Sequence, residues 1–404
     1  MEHVFIASGG VTSPKGFVAS GIGVGIRTYG AEPRYDVGIL SAAGPSVVAG
    51  VFTRNQVCGA PVELCRERVE GGSARAVVVN SGCSNVAMGE RGRRDARRMA
   101  HVAATHLGIP EQEMLVASTG VIGRPLPLEA IERGILAMRP AEGGGDDFSR
   151  AIMTTDTVPK SRAARVTVGD VTYTVGGTAK GSGMVHPDMA TVLCFMTTDA
   201  PVAADWLRAT LRRAADVSLN MVDVDMDTST SDTMLLFANG EAGGSRVQAG
   251  HPAEEPLRRT IEAVAIELAK DLARDGEGAK TLIEVRVEGA RSLDDARVAA
   301  RTVASSPLVK TMVTGRDPNL GRVMMAVGRS GARVDVDRTS VFIGDKCAFE
   351  RGSPTAVPYD EIKRALDGAE VVIRVDLGLG GGAATAWGCD LTEEYVRING
   401  SYTT

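Results

Sequence analysis

Aromatic side chains make up only 4% of the 404 residues, too few for the stacking platform that a single-strand nucleic-acid binder needs. The formal net charge of −5 is small as well, so neither a polyanionic partner nor a charged membrane surface is expected. No CxxC pair occurs among the six cysteines, Cys58, Cys65, Cys83, Cys194, Cys347 and Cys389, which argues against a zinc site or a disulfide frame. Reduced, largely buried thiols are the expectation. No window approaches the run of about 20 apolar residues that spans a bilayer. The opening MEHVFIASGGVTSPKGF has neither the basic region nor the apolar core of a secretion signal. These absences leave a soluble, cytoplasmic protein acting on small molecules, with no metal.

What is present is an ordinary globular balance, 44% hydrophobic and 24% charged, in a chain long enough for a large core and two subdomains. Short Val-rich runs alternate with amphipathic helical patterns, which gives an α/β (α+β) class. Residues 74–82 (ARAVVVNSG) and 113–123 (EMLVASTGVIG) each read as a buried strand ending in a polar, glycine-containing turn. The helical spacing of 95–107 between them suggests a strand–helix–strand unit with both turns on one sheet edge. Leu257, Ile261, Val264, Leu268 and Leu272 mark one face of a helix over 255–273, with Gly276 suited to a left-handed cap. A further helix should follow Ser292, with Asp295 three residues on. Residues 140–149 (PAEGGGDDFS) look linker-like, and 371–391 read as strand, glycine turn, strand.

The sharpest feature is 180–200, KGSGMVHPDMATVLCFMTTDA, where a glycine-rich loop changes at Thr191 into an uninterrupted apolar run. A threonine hydroxyl is a poor nucleophile without a base. If the peptide bond before Thr191 were cut, its own α-amine could take the proton. Ala190 is small, and Gly181, Gly183 and Pro187 permit a bent approach. Spacing alone also fits a β-branched residue that simply starts a strand. Thr119 and Gly120 could supply the hydroxyl and the N–H of an oxyanion site, or form a plain turn. Glu277 could bind an amine or lie solvated, and His186 could serve as a base. The acids of 223–233 (DVDMDTSTSDT) lack EF-hand spacing, so a cation site is not expected. Arg316 and Arg322 in GRDPNLGR could meet a carboxylate, whereas Arg91, Arg93, Arg94, Arg97 and Arg98 fit a solvated helix face.

Taken in order, GVFTRNQVCGAPV, NSG, ASTGVIG, AIMTTDTVPK, AKGSGMVHPDMAT, DTSTSDT, DGEGAKTLIEV, SPLVKT, GRDPNLGR, GCDLTEEYVRIN and the final YTT run nearly end to end. In these the chain resembles the ornithine acetyltransferase family (glutamate N-acetyltransferase), self-processing enzymes of arginine biosynthesis. The resemblance implies a layered two-domain fold of DmpA-like type. It implies cleavage between Ala190 and Thr191 into an α chain (1–190) and a β chain (191–404), with a smaller C-terminal subdomain over about 290–385. Thr191 would carry the acetyl group from N2-acetylornithine to glutamate by a ping-pong route. Thr119 and Gly120 match the family's oxyanion pair. Thr154, Lys180, Thr191, Glu277, Asn399 and Thr404 match its substrate contacts, and we read Lys180 as a carboxylate partner and Glu277 as an ammonium partner. No cofactor is implied, acetyl-CoA being a second donor in some relatives, and the αβ pairs would assemble as an α2β2 heterotetramer.

The chain departs from the family pattern in two places. Cys83 and Ser84 stand where relatives usually read Asn-Ala, and Leu320 stands where a tryptophan usually follows the DPN triplet. Two other readings remain beside the leading one: an N-terminal-threonine amidase or aminopeptidase of related fold, and an unprocessed, non-catalytic relative.

Overall fold

Two β-sheets with helices between and around them build the chain in the computed structural model, which describes residues 2–28, 32, 34–186 and 192–401. The larger sheet runs in the order Val4–Phe5, Lys160–Val168, Val171–Lys180, Leu193–Thr198, Thr233–Ala238, Val37–Phe52, Ser73–Asn80, Met114–Ser118, and Phe17–Ile22 pairs with the long Val37–Phe52 strand. Leu193–Thr198 lies in its middle, antiparallel to Val171–Lys180 with Lys180 opposite Leu193, and parallel to Thr233–Ala238 with Thr233 opposite Leu193. Successive side chains of a strand face opposite ways. Cys194 and Met196 therefore enter one apolar core while Leu193 and Phe195 enter the other, which is why the run shows no polar alternation.

The expected strand–helix–strand unit is present: Ser73–Asn80, the helix Gly89–Leu107 and Met114–Ser118, the two strands parallel with Asn80 opposite Ser118. Parallel pairing brings the NSG and STG turns to one edge. The helix stops at Gly108, whose φ of 65° provides the left-handed cap. Its arginines form a solvated face, with Arg91 on Asp95, Arg93 on Glu90 and Arg98 on Glu132.

The second sheet orders Ser353–Pro354, Lys346–Glu350, Ser340–Ile343, Glu370–Asp376, Leu282–Ala290, Gly382–Cys389 and Val222–Asp223. The helix Glu254–Arg274 packs against strands of both sheets, and Leu257, Ile261, Val264, Leu268 and Leu272 are all fully buried on it. Burying each such side chain contributes about 1.5–3 kcal/mol. Ser292 caps Leu293–Ala304 by accepting the Asp295 N–H at 3.1 Å, as the pattern predicts.

Two expectations need correction. Gly276 does not form the left-handed cap; that conformation falls to Gly278 (φ 72°), and what Gly276 provides is room, since a Cβ there would stand 2.6 Å from Cys389 Sγ. Residues 140–149 are no linker: the helix Gly145–Ala151 buries Phe148 edge-on to Phe195, 5.4 Å between ring centres, and a Cβ on Gly144 would lie 1.8 Å from the Ala19 carbonyl oxygen. Close packing, and not looseness, explains Gly144 and Gly145 there. The strand, glycine turn, strand reading of 371–391 holds as Glu370–Asp376 and Gly382–Cys389, with Leu282–Ala290 lying between the two strands in the sheet. All six cysteines are free, and burial pushes Cys65 and Cys194 up to about 12.

Candidate active site

One cavity of about 270 Å³ collects residues from across the chain: Thr119 and Gly120, Thr154, Lys180, Glu277 and Asn399 all line it. Every predicted site residue that the structure describes is therefore in one place. Ala190, Thr191 and Thr404 lie outside the described residues.

The strand edge builds the first wall. Thr119 N–H donates to the Asn80 carbonyl at 3.0 Å, and the Ser118 hydroxyl donates to Asn80 Oδ1 at 2.6 Å, so the STG turn is clamped onto the NSG turn. Gly120 has φ 119°, which only glycine tolerates well, and a Cβ on it would fall 2.4 Å from the Gly82 carbonyl carbon. Among the described residues neither the Thr119 hydroxyl nor the Gly120 N–H has a hydrogen-bond partner. Two donors held on a rigid turn beside a cavity can stabilise an oxyanion. Cys83 and Ser84, the departures from the family pattern, bind the carbonyls of Arg124 and Val121 and do not line the cavity.

A buried ion network backs the wall formed by Thr154 and Lys180. Lys160, at the start of its strand, donates at 2.6 Å to both Asp156 Oδ1 and Asp275 Oδ2, with all three side chains shielded from solvent. Asp156 also accepts the Gly181 N–H at 2.7 Å and the Thr154 N–H at 2.9 Å, tying together two segments that reach the cavity. Burial alone would raise the Asp156 carboxyl, yet Lys160, Lys180 and these hydrogen bonds hold it well below the usual range. Burial pulls the Lys180 ammonium down against the attraction of Asp156 and Asp232; its Nζ approaches Thr154 Oγ1 at 3.4 Å.

Lys160→Met should destabilise the fold by about 3–5 kcal/mol, because two carboxylates stay buried without their cation; urea melts would show it. The linkage signs are opposite. The depressed Asp156 contributes stability above its ordinary value that fades as pH falls through the folded one. The Lys160 ammonium, raised by its carboxylates despite burial, contributes stability that is lost as pH rises through its folded value.

Glu277 is fixed at the third wall. Its N–H donates to the Ser182 carbonyl at 2.8 Å, and Asn399 Nδ2 donates to Oε2 at 2.7 Å from the helix Glu393–Ser401. Gly183 lets this carboxyl come close, since a Cβ would stand 2.4 Å from Glu277 Cδ. Tyr395, one helical turn before Asn399, also lines the cavity and reaches Asp225 at 3.4 Å. The sequence reading missed Tyr395 and Thr155 in the cavity lining; the four-residue spacing of Tyr395 and Asn399 was the available signal for the first.

Asp223 and Asp225 have structural partners. Asp225 accepts the N–H groups of Met184 (2.6 Å) and Val185 (2.9 Å), and Asp223 takes His186 Nδ1 at 2.7 Å and Lys310 at 3.0 Å. His186 Nε2 lies 3.1 Å from the Arg301 guanidinium, which can only donate, so that nitrogen is the acceptor and Nδ1 carries the proton. With both nitrogens engaged and the ring away from the cavity lining, His186 is not a base for the site. Arg316 pairs with Asp367 and Arg322 binds the Leu308 carbonyl; neither lines the cavity.

Among known proteins, residues 18–404 match the model of the ArgJ family. The arginine biosynthesis bifunctional protein ArgJ of Symbiobacterium thermophilum is 52% identical, over 98% of this chain and 99% of that protein. The ArgJ of Bacillus subtilis is 40% identical, over 100% of this chain and 98% of that protein. A crystal structure of ArgJ from Bacillus halodurans is 37% identical with a TM-score of 0.50; it covers 51% of this chain and 97% of its own.

Proposed function

The chain belongs to the ArgJ family, and from that premise we propose that it cleaves itself between Ala190 and Thr191 and then carries the acetyl group on Thr191. It is an acyltransferase of arginine biosynthesis, a glutamate N-acetyltransferase using N-acetylornithine as donor. The observation that carries the site assignment is the convergence of Thr119, Gly120, Thr154, Lys180, Glu277 and Asn399, far apart in sequence, on one cavity.

In the first half-reaction the Thr191 hydroxyl attacks the acetyl carbonyl carbon while the Thr191 α-amine takes the hydroxyl proton. The tetrahedral oxyanion faces the Thr119 hydroxyl and the Gly120 N–H. Collapse breaks the amide C–N bond, the proton passes to the leaving amine, and ornithine departs. Glutamate enters, its neutral amine attacks the ester, and the same steps run in reverse. Lys180 receives the α-carboxylate common to both substrates, Thr154 orients that ammonium, and Glu277 with Asn399 binds the distal end of ornithine. The maturation step uses the same nucleophile: Thr191 Oγ attacks the Ala190 carbonyl, the peptide nitrogen leaves to become the new α-amine, and water hydrolyses the ester.

A solved ArgJ chain that covers 51% of this one over 97% of its own length supports a product of about half size. The α and β chains then stay together, since the strand Leu193–Thr198 sits in mid-sheet between partners from both halves; assembly of two such pairs completes an α2β2 enzyme. The test is a denaturing gel with an acetyl-transfer assay. Two fragments near half size and ornithine release that requires glutamate are expected. Release without glutamate would mark an amidase, and a single full-length band would overturn processing.

A further inference from the structure

The cavity is lopsided in charge. Among the described residues that line it, Lys180 is the one cation, whereas Glu277, Asp225 and Asp227 are all acids. The acids are grouped around Tyr395. Its hydroxyl donates to Asp225 at 3.4 Å, and burial together with the charges of Asp225, Glu277 and Asp227 pushes the phenol up. Lys180 lies by Thr154 instead, where burial pulls it down against Asp156, Asp232 and Glu277. Two of the three grouped acids are held in place. Asn399 Nδ2 donates to Glu277 at 2.7 Å, and the Met184 and Val185 N–H groups donate to Asp225 at 2.6 and 2.9 Å. Asp227 differs from both. Its N–H donates to Asp225 Oδ1 at 3.3 Å, which keeps it beside the group, but its own exposed carboxylate has neither a hydrogen bond nor an ion pair among the described residues.

Resting on the reading that this one cavity takes both substrates, we propose that Asp227 is a specificity-determining residue, which favours the distal ammonium of the donor and opposes the distal carboxylate of the acceptor. The two substrates share an α-carboxylate, which Lys180 receives, so they differ at the other end of the chain. N-acetylornithine carries a cation there and glutamate an anion. A lining with one cation and three acids treats those two ends oppositely, and the carboxylate without a partner of its own is the one whose charge is most available to them. Glu277 and Asp225 have hydrogen bonds to lose and would report on structure as well as charge; Asp227 reports on charge alone.

The experiment is Asp227→Asn beside Asp227→Glu, each checked on a gel and assayed for acetyl transfer with the two substrates varied in turn. Loss of an exposed charge a few ångströms from the distal group changes each affinity about threefold. In Asp227→Asn the KM for N-acetylornithine should therefore rise and that for glutamate should fall, moving their ratio by about tenfold. Asp227→Glu keeps the charge and should keep the wild-type ratio. In 1 M NaCl, where charges are screened beyond about 3 Å, the difference between Asp227→Asn and wild type should shrink. An unmoved ratio, two KM values that shift in the same direction, or a shift that survives the salt would overturn the proposal while leaving the transferase reading standing. So would an Asp227→Asn chain that no longer gives two fragments, since the residue would then serve maturation and not selection. Wild type that releases ornithine without glutamate would overturn the reading beneath it.

Discussion

Thr191→Ala yields one full-length band and no acetyl transfer. In the proposed mechanism the hydroxyl is what attacks the Ala190 carbonyl, so no fragment is expected. Without the cut there is no α-amine to act as base, so a single substitution removes nucleophile and base together. A fall of about a millionfold in kcat is expected, the scale on which hydrolases lose activity with their nucleophile. Mass spectrometry after addition of N-acetylornithine should find an acetylated threonine in wild type and none in the variant. Turnover by uncut Thr191→Ala would remove the covalent route.

Gly120→Ala is the second large effect, and it should exceed that of Thr119→Ala. Loss of one oxyanion donor costs about 10²–10³ in kcat, which is the expectation for Thr119→Ala with KM little changed. At Gly120 the added methyl would meet the Gly82 carbonyl carbon at 2.4 Å, on a backbone whose φ of 119° already disfavours any side chain. The turn must move away from the NSG segment that clamps it, which carries both donors out of place. A kcat for Gly120→Ala equal to or above that of Thr119→Ala would mean that the Gly120 N–H does not face the oxyanion. Rescue of the loss by a smaller substrate would instead point to a simple steric block.

The same geometry explains why the departures at Cys83 and Ser84 need not disturb chemistry. Both bind backbone carbonyls of the loop after Gly120, and neither reaches the cavity. Leu320 is buried at the N-terminal end of the helix Gly321–Gly328 and does not line the cavity either.

Local pattern determined much of this protein. Periodicity placed the buried helix of 254–274, the Ser292 cap and the parallel strand–helix–strand unit, because apolar spacing and capping chemistry act over a few residues. The ordered motifs likewise marked Thr119, Gly120, Thr154, Lys180, Glu277 and Asn399. What periodicity could not decide was anything that depends on which segments become neighbours. Gly144 and Gly145 of the linker-like run turned out to be packing contacts, since a glycine that needs space and one that needs freedom look alike in sequence. His186, beside the threonine in the chain, was removed as a base by Asp223 and Arg301, which come from elsewhere. Thr233 came to lie beside Leu193 only through strand register, because hydrogen bonding between strands sets residues 40 apart side by side while leaving no trace in the order of residues.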